Sequence, residues 1–135
     1  LVRYWGAIGL CAHKEELGKD AKKALNHALN DQSPSVRIEA ANTLLLRGKP
    51  APALSVLIQE LKHENLIVVT HAARTIEILG KKAKKARKQM EECLVRAHKI
   101  RPPDLSPVIV LPGDQDMAMF VGFSCQAFLN KLNQK

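Results

Sequence analysis

The run KKAKKARK sets Lys81, Lys82, Lys84, Lys85, Arg87 and Lys88 within eight residues. Cations at that density have one evident chemistry, which is holding the oxygens of phosphate or sulfate, Arg as a planar fork and Lys as a point charge. At roughly 100° per residue, Ala83, Ala86, Met90, Leu94 and Ala97 share one helical face while most of the cations occupy the other. Two readings follow. One is the solvated side of an amphipathic helix. The other is a docking strip for a sulfated glycan or nucleic-acid phosphate, helped by Arg96 and Lys99. The 21 Lys and Arg against 13 Asp and Glu, a formal charge of +8, are compatible with both.

Five histidines and three cysteines raise the question of a metal. "CAH" at 11–13 lacks the spacing of a zinc site, and three cysteines at no framework spacing argue against a disulfide scaffold. No metal site and no catalytic residue is assigned. Aromatic residues make up only 4% of the chain, too few for a platform that stacks single-stranded bases. There is no apolar run long enough to span a membrane, and Leu1 to Ala12 lacks the layout of a signal peptide.

The elements that must position these side chains repeat. SPSVRIEAANTLLLRGK at 33–49 returns as NLIVVTHAARTIEILGK at 65–81. A shift of 32 superposes Ala21 on Ala53, Leu25 on Leu57, Leu29 on Leu61, Ala40 on Ala72, Ala41 on Ala73, Thr43 on Thr75 and Gly48 on Gly80. Apolar steps of three and four residues mark each unit as two helices. Ser33 and Asn65 are the expected N-caps, Pro34 opens a helix without losing a bond, and Gly48 is the expected left-handed stop. VRYWGAIGL matches the second helix with Val2 on Val36, and VGFSCQAFL does so with Val121 on Val36. Second helices are therefore predicted near 2–12, 34–47, 66–79 and 115–131, and first helices near 19–30, 52–62 and 82–99. The chain opens inside a repeat, which reads as one domain over 1–135 cut from a longer protein. RPPDLSPVIVLPG at 101–113 breaks the period with four prolines and reads as an irregular insertion, lying against the repeats or a neighbouring domain. In register, Cys93 falls on Leu61 and Cys125 on Ala40, both packing positions. His71 falls on Glu39, His63 on Asp31 and His27 on Gln59, all polar outward positions. Tyr4 and Trp5 read either as core or as contacts to a preceding part of the chain.

DQSPSVRIEAANTL resembles HEAT repeats, including the short PBS-lyase type. The resemblance implies an all-α fold, an α-solenoid of antiparallel helix pairs. It also implies a polar ladder between successive pairs, carried here by Asp31, Arg37 and Arg3. His63 and Val69 replace Asp31 and Arg37 in the next unit, so the ladder is expected to be partial. VRYWGAIGL, HENLIVVTHAARTIEILG, HKIRPPD and DMAMFVGFSCQAFLNKL together are similar to the C-terminal helical segment of bacterial sulfatases. That likeness implies a non-catalytic scaffold buttressing a catalytic domain of the same chain, with an anionic glycan as a further partner, calcium held elsewhere in the parent and a periplasmic or extracellular location. Sulfatases draw their nucleophile from a Cys/Ser-x-Pro-x-Arg motif, and Cys11, Cys93 and Cys125 are followed by AHK, LVR and QAF. No cofactor is therefore expected in this segment. The alternative is a stand-alone adaptor that binds a protein, or nucleic-acid phosphate through the basic helix. A shape-reading DNA binder of the HEAT-like alkylpurine glycosylase kind would need a catalytic acid on a basic concave surface, and no such constellation presents itself.

Overall fold

A computed structural model describes residues 1–12, 16–47, 52–104 and 115–134. Among them the chain is all-α, with no strand: α1 (Val2–Ala12), α2 (Lys19–Ala28), α3 (Pro34–Leu46), α4 (Ala53–Glu60), α5 (Leu66–Leu79), α6 (Arg87–Ile100) and α7 (Gln115–Asn133), with a 3₁₀ segment, Gly80–Ala86, leading into α6. Helix ends agree with the repeat reading to within a few residues. Gly48 and residues 105–113 of the proline-rich stretch lie outside the described residues.

The second helices touch in order, α1 on α3, α3 on α5 and α5 on α7. Small residues make this possible. Ala40, Ala41, Ala72 and Ala73 are fully buried, and a methyl side chain lets neighbouring backbones approach while Leu44, Leu45 and Ile76 fill the space between. Contacts climb both partners together: Arg3 meets Asp31 and Cys11 meets Asn42, Glu39 meets His71 and Leu46 meets Lys82, and Phe120 shares a groove with Thr70 while Lys131 meets Glu77. Successive second helices are thus parallel. By contrast α6 and α7 are antiparallel, since Arg87 meets Asn133 while Arg101 meets Asp116. First helices cover one side of the second helices: α3 packs against both α2 and α4, and α5 against α4. Leu25, Leu29, Leu57 and Leu61 are buried from that side, each stabilising the fold by about 1.5–3 kcal/mol.

The turns before α3 and α5 are built alike by different residues. The Ser33 N–H donates to Asp31 Oδ1 at 2.9 Å, and the Asn65 N–H donates to His63 Nδ1 at 3.0 Å. An imidazole nitrogen thus does the work of a carboxylate oxygen in tightening the turn. Asn65 caps α5 by accepting from the Ile67 N–H at 2.8 Å. Ser33 occupies the corresponding position but makes no side-chain cap, and Pro34 at the helix start carries no N–H to be capped.

The helix predicted over 82–99 does not begin as an α-helix. Gly80 takes φ +52°, a positive value open to glycine, and the chain then runs to Ala86 as two short 3₁₀ turns that meet at a kink at Ala83. Packing favours this, since Ala83 and Ala86 are both completely buried along this path while the lysines stay exposed.

Ala41→Arg would push a long cation into the contact between second helices. It is expected to cost about 3 kcal/mol or more through overpacking and an unpaired buried charge, read as a large fall in melting temperature. A melt unchanged within error would contradict the close approach of these helices.

Candidate functional site

Polar side chains hold successive junctions together. At the first junction the Arg3 guanidinium grips Asp31 through two nitrogens, at 2.6 and 3.2 Å. That bond, then the Ser33 N–H, holds the Asp31 carboxyl below the usual carboxylate range against the effect of burial. At the second junction Arg37 Nε donates to Glu60 Oε1 at 2.7 Å while its NH1 donates to the Asp31 carbonyl at 2.7 Å. Glu60, only 3% exposed, was invisible as a partner in the sequence because it lies at the end of a first helix rather than at the expected turn position. At the third junction Val69 has no polar group to offer, and Arg96 of α6 substitutes by donating to the Leu61 and His63 carbonyls. The three residues singled out by sequence, Asp31, Arg37 and Arg3, therefore meet at one edge of the fold.

A second polar line crosses the middle of the helices. His71 Nε2 lies 2.9 Å from Glu39 Oε1, the two being one repeat apart. Asn42 Nδ2 lies 3.5 Å from Glu39 Oε2, and its own Oδ1 is buried without a partner among the described residues. The hydrogen bond from His71 holds Glu39 below its ordinary value, outweighing burial. On α5, burial pushes the Glu77 carboxyl up, but Arg74 at 2.5 Å and Lys131 at 3.3 Å prevail and lower it.

The basic run divides. Lys82 Nζ donates to the Leu46 carbonyl at 3.1 Å, at the C-terminal end of α3 where a cation is favoured. Arg87 bonds Asn133 and sits 3.7 Å from Glu91, and Lys88 sits 3.9 Å from Glu92. Lys81, Lys84 and Lys85 are exposed and make no ion pair or hydrogen bond among the described residues. Of six cations, three are thus engaged by the fold itself. Cys93 and Cys125 are buried at the packing positions their register assigns, with Cys125 Sγ 4.0 Å from Met90 Sδ. Trp5 is exposed and Tyr4 half-buried, the two rings meeting edge to face at 5.5 Å, so neither is ordinary core. Among the described residues no three His, Cys, Asp or Glu side chains converge as metal ligands.

One feature escaped the sequence reading. Leu1, Ile67 and Phe120 are equivalent in register, as are Leu46 and Ile78, and all five are exposed. Together with Trp5 they line the same face of successive second helices, the face that also carries Glu39, His71 and Arg74. Between α5 and α7 this face sinks into a groove of about 340 Å³, lined by Thr70, Arg74, Glu77, Phe120, Phe123 and Ala127. Scans against protein-family models, curated proteins and solved structures return no match.

Two outcomes are expected. Arg37→Ala leaves Glu60 buried and unpaired and should cost about 3 kcal/mol, whereas Arg37→Met with Glu60→Leu should recover most of that loss in a denaturant titration. The second concerns acid. Because Glu39 and Glu77 are lowered on folding, their contribution is present above the unfolded carboxylate range, about pH 4, and is lost as pH falls through their folded values. Melting temperature should hold from neutrality to about pH 5 and fall below it, with a shallower fall in Glu77→Gln.

Proposed function

We propose that this chain is a non-catalytic scaffold, an α-solenoid of HEAT-like helix pairs that serves as the C-terminal accessory segment of a sulfatase and buttresses its catalytic domain. The observation that carries the scaffold reading is the successive contact of α1, α3, α5 and α7, with paired alanines fully buried in α3 and α5 and with Ala7 and Cys125 buried at equivalent positions in α1 and α7. The edge ladder of Arg3–Asp31 and Arg37–Glu60 supports it. Each unit leaves its apolar stripe covered only when the next unit is present, so rigidity is a property of the stack. A rigid stack of this kind lends its stiffness to whatever docks on it.

The sulfatase assignment rests on the likeness of VRYWGAIGL, HKIRPPD and FVGFSCQAFLNKL to the tail of that family. Cys11, Cys93 and Cys125 do not stand in a Cys-x-Pro-x-Arg motif, so a parent sulfatase would draw its nucleophile, and by the same likeness its calcium site, from another part of the chain. A second reading, an adaptor that binds a protein or nucleic-acid phosphate, is favoured by the unengaged Lys81, Lys84 and Lys85.

Deleting this segment from the parent enzyme should lower its melting temperature or narrow its substrate range. A truncated enzyme with unchanged melting and kinetics would overturn the buttress. Duplex DNA binding that weakens steeply with salt would favour the adaptor instead.

A further inference from the structure

We propose that the groove between α5 and α7 is a docking site for a protein segment that presents an apolar side chain beside a carboxylate. The proposal rests on the repeat reading for the continuity of this face, and is independent of sulfatase parentage.

The walls argue for the apolar part. Phe120 and Phe123 are 45% and 58% exposed, and both line the groove of about 340 Å³ with Ala127 between the helices. Ile67, about one turn before Thr70, and Ile78, about one turn after Arg74, continue the apolar surface along α5. Aromatic anchors beside an arginine are the composition that dominates binding energy at protein interfaces.

The charges argue for the carboxylate. Glu77 at the groove is 8% exposed on its side chain and receives both Arg74 and Lys131. Two cations on one carboxylate leave a formal surplus of one positive charge at the rim. Arg74 is 60% exposed and engages Glu77 through NH1 alone among the described residues, which leaves the rest of its fork facing water. A partner acid can complete that fork while its apolar neighbour covers the two rings. The rest of the molecule favours the same occupant over a second copy, because two chains of formal charge +8 repel each other.

The test uses the purified chain and two labelled peptides, one alternating Leu and Phe with Glu, the other identical but with Lys in place of Glu. Fluorescence anisotropy is expected to show binding of the acidic peptide only, weakening as salt rises. Phe123→Ser and Arg74→Gln should each reduce affinity about tenfold. Lys84→Gln with Lys85→Gln should leave it within about twofold, since exposed charges away from a contact are screened. Equal binding of both peptides, no binding of either, or affinity unchanged in Phe123→Ser would overturn the proposal. Light scattering that shows a dimer dissolved by Phe123→Ser would also overturn it, assigning the face to a second copy. Thermal melts of every variant separate the two readings: intact melts without binding remove the docking site and leave the scaffold standing.

Discussion

Close approach between second helices is the constraint on which everything else depends. α3 is met by α1 on one flank and α5 on the other, and by α2 and α4 from behind, so seven of its thirteen residues are buried. A helix enclosed in this way cannot carry large side chains all round. Ala40 and Ala41 keep the flanks low, and Leu44 and Leu45 fill what remains. The same economy recurs in α5 with Ala72, Ala73 and Ile76. An isolated helix of this length is marginal in water, so these contacts are what make the helices stable at all.

Enclosure has an electrostatic consequence. Any polar group at a junction loses water and must find a partner inside the stack. Thr43 and Thr75 return their hydroxyls to the carbonyls of Glu39 and His71, one turn back. Glu60 takes Arg37, Glu39 takes His71, and Glu77 takes two cations. At the far end, buried Arg101 reaches Asp116 at 2.6 Å and ties the end of α6 to the first turn of α7. These links fix the sliding position of one helix against the next, a degree of freedom that apolar packing alone leaves soft.

Once flanks, back and junctions are occupied, one face of the second helices remains. It holds exposed Ile and Phe side chains where a soluble surface would ordinarily place polar ones, and a groove with surplus positive charge. The conspicuous cations of the basic run, 81–88, lie elsewhere, and three of the six are absorbed into contacts with helix ends and neighbouring carboxylates. Density of charge in the sequence is therefore a poor guide to which charges are available for binding.

The amino-acid order by itself determined the all-α class, the repeat of 32, nearly every helix boundary and the burial of Cys93 and Cys125. Periodicity of apolar residues and turn chemistry are local, and local signals survive in one dimension. Only the tertiary structure decided that His71 faces Glu39, that Glu60 answers Arg37, that Lys81 to Lys85 wind as 3₁₀, and that Phe120 and Phe123 flank a groove with Arg74. Each of these depends on which helix lies beside which, and at what height, a relation between distant segments that the spacing within any one segment does not contain.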